Sequence, residues 1–274
     1  MIGFGTHNMP PGTWSGDSSL ALCTCESLAE GFSLAGVAAR IVKYAGEAYW
    51  AATDEPVELP RHLRATIDRL TEPGAHLGVP ADGNDSDMAF GVLPRILPVA
   101  ATLRKLPAEE RFKRVAQVAS LTNGHMKIVV GCHILTETAL GLIRLASPMD
   151  AYRAMTSSVK QQLKTEPALA SYRRVLDGDL GSLLESDIVS DGKVATTVEA
   201  ALWCLLTSDG FAGAVLKAAN LGGDTDTIGA VTGGLAGFAF GLEAIPPEWV
   251  SKLARSTEVL ALAERLFKHV GISK

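Results

Sequence analysis

A chain of 274 residues is long enough to bury a sizeable core, and 47% hydrophobic against 20% charged residues excludes wholesale disorder. Lys and Arg number 25 and Asp and Glu 30, and the resulting charge of −5 speaks against nucleic acid or an anionic membrane as a partner bound by charge. Aromatic residues are only 6%, so the core must be mostly aliphatic.

Residues 1–16 are rich in Gly and Pro and show neither the basic nor the apolar region of a signal peptide. The segment Pro11-Gly12-Thr13-Trp14-Ser15-Gly16-Asp17-Ser18-Ser19-Leu20 leads into a helix bearing Leu22, Cys23, Leu28 and Ala29. Ser15, Asp17 and Ser18 stand where helix-capping residues belong. Residues 53–60 read as a loop and 71–87 as a long polar stretch. Within the latter, Asp82–Asp87 faintly resembles a calcium loop, but Asp87 and Leu93 fall where an EF-hand needs Gly and Glu. Phe112, Val115, Ala116 and Ala119 form an i, i+3, i+4, i+7 stripe. Thr122-Asn123-Gly124-His125 follows at the junction of two apolar helices, where a lone His is more often structural than catalytic.

Residues 126–146 are apolar on nearly every face, interrupted by Lys127, His133, Glu137 and Arg144. The uninterrupted runs fall short of the ~20 residues of a membrane span, so a buried central helix is predicted and no membrane. Further helical stripes are Tyr152, Met155, Val159 and Leu163, then Val198, Ala201, Leu202, Leu205 and Leu206, then Phe211, Ala214, Val215 and Ala218. Residues 177–193 read as a loop between them, and from Glu248 onward Trp249, Leu253, Leu260, Phe267 and Val270 keep helix-compatible spacing. Strand signals are nearly absent, which predicts an all-α chain in one domain, 1–274, with loops converging on a site. Cys23, Cys25, Cys132 and Cys204 form neither a zinc framework nor a disulfide scaffold, which points to a reducing, cytoplasmic compartment. No P-loop, HExxH or GxSxG motif is present.

The informative segment is Asn220-Leu221-Gly222-Gly223-Asp224-Thr225-Asp226-Thr227, ahead of a helix rich in small residues from Ile228 to Gly237. Two glycines make a tight turn, and two carboxylates and a hydroxyl follow. Hard oxygen ligands so arranged suit Mg²⁺, which takes few carboxylates and keeps several waters. Asp and Thr at a helix start also have an ordinary use as caps, and the residues alone leave both readings open.

Taken together, PPGTWSGDSSL, LTNGH and NLGGDTDTIGAVTGGLAG resemble the ADP-ribosylglycohydrolase family, and Ala200–Leu206 resembles the family's preceding helix. The resemblance implies an all-α, orthogonal helical bundle with a binuclear magnesium site in a cleft. It implies hydrolysis of the glycosidic bond between ADP-ribose and a protein side chain, so the expected partner is an ADP-ribosylated protein or an ADP-ribose-containing small molecule. By position, Ser15, Asp17, Asp224, Asp226 and Thr227 match metal ligands. Asp17 and Asp226 are the expected catalytic carboxylates, and Asn123, Gly124, His125, Gly222 and Gly223 the expected substrate contacts.

This chain departs from the family pattern at several points. Gly16 replaces the first Asp of the N-terminal ligand motif, and Ser18 replaces its Thr. Asn123 replaces a His, and only Arg95-Ile96-Leu97-Pro98 survives of a Met-Arg-x-x-Pro block. The family's first helix, with a Gly-Asp sequence and a further acid, has no counterpart in these residues. Asp17, Asp224 and Asp226 can hold one Mg²⁺, while Gly16 leaves a second ion short of compensating charge. The expected function is a magnesium-dependent ADP-ribosyl hydrolase. The alternative is a catalytically impaired relative that binds ADP-ribose or a partner protein without turnover.

Overall fold

The computed structural model describes residues 2–5, 7–57, 59–72, 77, 90–145 and 147–271. Among them are thirteen α-helices and no strand. In chain order they are α1 (Gly16–Ala29), α2 (Leu34–Glu47), α3 (Arg61–Thr71), α4 (Val92–Thr102), α5 (Ala108–Ala119), α6 (Met126–Arg144) and α7 (Pro148–Gln162). Then follow α8 (Arg173–Asp177), α9 (Val194–Leu206), α10 (Phe211–Asn220), α11 (Thr225–Phe240), α12 (Pro247–Lys252) and α13 (Ser256–Val270). The all-α expectation holds.

The apolar run predicted at 126–146 forms α6 over Met126–Arg144, and it is the axis of the core. It is long and apolar enough to cross a membrane, yet Ile134 and Leu135 are fully buried among the neighbouring helices. Helices α4, α5, α7, α9, α10 and α11 contribute buried faces to the same apolar cluster. The predicted stripes supply those faces: Val115 and Ala119 in α5, Met155 and Val159 in α7, Ala214 and Ala218 in α10. Burying aliphatic side chains from several helices at once is what holds short helices together, because propensity alone does not.

A second apolar cluster joins α1, α2, α3 and α13 through Leu20, Val37, Ile41, Tyr44, Leu63 and Leu262. Its polar pin is Glu26 on α1. The Glu26 carboxylate accepts from Tyr49 Oη at 2.6 Å, Arg40 Nε at 3.0 Å, Trp50 Nε1 at 3.3 Å and Arg265 Nη2 at 3.3 Å. Burial alone would raise its pKa, but the bonds from Tyr49, Arg40 and Trp50 hold the carboxyl below the usual range. One acid thus fastens α1 to α2, to the loop after α2 and to the last helix.

The C-terminal stretch differs from the continuous spacing read from its sequence. It is two helices, α12 and α13, divided at Leu253–Arg255. Arg255 adopts a left-handed φ of 48°. The break lets Ala254 N donate to Gly12 O at 3.0 Å, and Arg255 Nη1 to Ala51 O at 2.9 Å. Those two bonds dock the N-terminal segment and the α2–α3 loop, which a straight helix could not reach. Residues 177–193 also contain two short 3-10 turns, Leu180–Ser182 and Glu185–Asp187. The polar stretch expected at 71–87, with its Asp82–Asp87 run, lies mostly outside the described residues.

Candidate functional site

The site forms where the start of α1 meets the starts of α4 and α11. Asp17 lies in the first turn of α1 and is fully buried. Its carboxylate does not cap its own helix. One oxygen accepts from the Gly91 N–H at the head of α4, and the other lies 2.8 Å from Thr227 Oγ1 on α11. Thr227 Oγ1 also lies 2.9 Å from Asp224 Oδ1. Asp17 and Asp224, far apart in sequence, therefore sit one hydroxyl apart in space. Asp226 follows on α11 and is half-buried.

Charge crowding is visible in the acids. Burial pushes the Asp17 carboxyl up to about 8, against the pull of the Gly91 N–H and the Thr227 hydroxyl, and Asp226 and Asp224 add repulsion. Burial likewise raises Asp224 to about 6, opposed by the Thr227 hydroxyl and assisted by neighbouring Asp226. Thr227 has a single hydroxyl proton, so both of its contacts close only when one carboxyl is itself protonated. Asp17, with the higher pKa, is that carboxyl near neutral pH.

The double glycine has a steric reason. Gly222 and Gly223 both adopt left-handed φ, 78° and 66°. A Cβ on Gly223 would run into the carbonyl oxygen of Ser190, which also accepts from Asp224 N at 3.3 Å. The loop at 188–192 is thereby seated against the acidic turn. Gly223→Ala should lower the unfolding free energy by roughly 2–4 kcal/mol, from left-handed strain plus the clash. Thermal or urea unfolding measures this, and an unchanged midpoint would mean that the Ser190 loop is not held there.

The remaining expected residues are placed as follows. Ser15 is the N-cap residue of α1, half-buried, and its side chain makes no capping hydrogen bond. Gly16 is buried and opens α1. Asn123 and Gly124 are buried at the α5–α6 junction, and His125 is half-buried. Asn123 Oδ1 accepts from His125 N at 3.0 Å, and His125 Nδ1 accepts from Lys127 N at 3.2 Å, capping α6. These three shape the turn that opens α6.

The sequence reading missed Gly91, and it took Arg95 only as a motif remnant. Arg95 is fully buried; Nη1 donates to Gly91 O at 3.0 Å, and Nη2 to Val118 O and Ala119 O, each at 3.1 Å. The available signal was a glycine one helical turn before a lone Arg in an otherwise apolar helix.

No three Asp, Glu, His or Cys side chains among the described residues stand in ready-made ligand geometry. What the site offers is a hard-oxygen set, carboxylates and hydroxyls with no sulfur or nitrogen, in which burial first and mutual repulsion second raise the pKa of Asp17 and Asp224. That chemistry fits one hard divalent cation. Beside it runs a cleft of about 530 Å³ lined by Trp14, Ser18, Leu97, Ala230, Phe238 and Phe267 among others, almost wholly apolar and without any of the three acids. A charged nucleotide would find few polar partners inside it, Ser18 among them.

An all-α scaffold that brings a buried aspartate on an early helix to an Asp-x-Asp-Thr turn on a late one defines a helical bundle with an acidic site. The chain belongs to the ADP-ribosylglycohydrolase family, whose pattern matches residues 1–273. It is 28% identical over 269 residues to the ADP-ribosylarginine hydrolase Tri1 of Pseudomonas putida, covering 97% of this chain and 69% of that protein. It is 27% identical over 261 residues to the ADP-ribosyl-[dinitrogen reductase] glycohydrolase of Rhodospirillum rubrum, covering 94% of this chain and 79% of the relative. Among solved structures, it resembles an ADP-ribosylglycohydrolase-related protein complex with a TM-score of 0.78 and 27% identity, covering 98% of this chain and 86% of that one.

Proposed function

We propose that this protein hydrolyses the bond joining ADP-ribose to a modified protein side chain, ADP-ribosylarginine first among the substrates, with one Mg²⁺ held at the acidic turn. The observation that carries the reading is the Asp17–Thr227–Asp224 bridge, which unites two distant motifs at one point. Asp17, Asp224 and Asp226 would hold the ion, with the hydroxyls of Thr227 and Ser15 completing the protein ligands. When bound, such an ion polarises a water and a sugar diol.

The protein's own groups divide the remaining work. Asp17 is sealed behind Thr227, so it serves as a fixed ligand and does not meet substrate. Asp226, half-buried, is the carboxylate able to accept a proton from a water attacking the anomeric carbon. The C–N bond to the arginine side chain breaks as the water oxygen bonds to carbon, and the departing guanidine takes up the proton that Asp226 accepted from the water. Gly222, exposed and with open space in its side-chain direction, leaves room for a sugar to approach the turn backbone, while Gly223 seats the turn against Ser190. His125, half-buried, would meet the ADP moiety from the α5–α6 turn, which the buried Asn123 and Gly124 shape.

The test is release of free ADP-ribose from an ADP-ribosylarginine protein, read by mass spectrometry with Mg²⁺ and with chelator. Release with Mg²⁺, its loss on chelation, and at least a hundredfold lower rate for Asp226→Ala are expected. Tight binding of ADP-ribose with no release under any of these conditions would make the chain a binding protein.

A further inference from the structure

We propose that Arg95 is a positioning residue of the acidic site: its guanidinium locks the Gly91 turn that holds Asp17 and ties that turn to the end of α5, from which the Asn123–His125 turn departs. The inference rests on the proposed ion site.

Four observations support it. Arg95 is completely buried and has no carboxylate partner in an ion pair among the described residues; its hydrogen bonds go to three backbone carbonyls. A buried cation held only by carbonyls is costly, so a core position would ordinarily take an apolar residue. Gly91, which Arg95 grips, is left-handed at φ 68°, and a Cβ there would run into Leu20. That conformation is what aims the Gly91 N–H at Asp17. Finally, Ala119 O accepts both from Arg95 Nη2 at 3.1 Å and from Asn123 N at 3.0 Å. A chain of contacts thus runs from Asp17 through Gly91 and Arg95 to the start of the 122–125 turn.

The planar fork explains the residue type. Two Nη groups in one plane span carbonyls on two helices, which the single Nζ of Lys cannot do. Arg95 stays charged despite burial, which lowers its pKa only to about 10. Without the bridge, the Gly91 turn can rotate its N–H away, and Asp17 loses the partner that fixes its angle toward Thr227.

The experiment titrates Mg²⁺ into wild type, Arg95→Lys and Met155→Ala by calorimetry, below the melting onset of each by circular dichroism. Met155 is buried in α7, outside the site, and its truncation controls for general loosening. Mg²⁺ binding at least tenfold weaker in Arg95→Lys, with Met155→Ala unchanged, is the expected result. Native affinity in Arg95→Lys, or equal weakening in both variants, overturns the positioning role. Absence of binding in wild type would instead defeat the ion site itself. If Arg95→Lys does not fold, hydrogen exchange of the wild-type Gly91 amide decides: strong protection is expected, and exchange as fast as an exposed loop overturns the clamp.

Discussion

Asp17→Asn should make the metal-free protein more stable at neutral pH while removing its magnesium-dependent activity. The Asp17 carboxyl is raised by burial from near 4 to about 8. The fold therefore favours the protonated acid, and the unfolded chain favours the carboxylate. Stability from this group is complete below about pH 4 and is lost as pH climbs through about 8. At pH 7 the deficit is about 4 kcal/mol. Asparagine reproduces the protonated pattern: Oδ1 accepts from the Gly91 N–H, and Nδ2 donates to Thr227 Oγ1, freeing its hydroxyl proton for Asp224. Scanning calorimetry at pH 5.5 and pH 8 in chelator is the check. Wild type should melt lower at pH 8, and Asp17→Asn should lose most of that difference and melt roughly 5 °C or more above wild type there. A variant that melts below wild type at pH 8 would show that Asp17 is ionised and satisfied without metal. Adding Mg²⁺ should raise the wild-type midpoint and leave the variant unmoved.

Gly16→Asp should strengthen Mg²⁺ binding about tenfold or more and weaken the metal-free fold. Gly16 opens α1 beside Asp17 and is buried, and its φ is not among the left-handed glycines, so the backbone accepts a side chain. A fourth carboxylate would add charge compensation for a divalent ion. Without the ion it would add a buried, repelling acid to a site whose pKa values are already raised. The two effects have opposite signs, and calorimetric titration and melting in chelator read them separately. Unchanged affinity would mean that position 16 does not face the ion.

The fold was legible where a buried face repeats with helical period. Residues 126–146, Tyr152–Leu163 and Val198–Leu206 all read as helices because one side of each must meet the core. Helix α2 carries the same signal in Val37, Ile41 and Tyr44. The division between α12 and α13 was hidden because hydropathy records what is buried and not what the backbone must reach; the break serves hydrogen bonds to Gly12 and Ala51. The acidic turn stood out because Gly-Gly-Asp-x-Asp-Thr concentrates polar residues where a core helix begins. Its counterpart Asp17 looked like a cap from the residues alone and like a metal ligand through the family resemblance; the fold shows its carboxylate turned toward Gly91 and Thr227. Gly91 and Arg95 escaped because their work is done through backbone carbonyls, which carry no residue-specific signature.

The bond between Thr227 and Asp17 joins residues 210 positions apart, and the Arg265–Glu26 pair spans 239. Helix α1 buries Asp17, Ser19, Thr24, Glu26 and Ser27, polar groups that need partners. Ser19, Thr24 and Ser27 find partners in nearby sequence, but α1 leaves the ribosome long before α11 or α13 exists, so Asp17 waits for Thr227, and Glu26 for Arg265. A ribosome stalled before α11 would carry a nascent chain without Thr227, the hydroxyl that joins Asp17 to Asp224. The site is therefore assembled among the last events of synthesis, and a chain truncated anywhere before Thr227 is released without it.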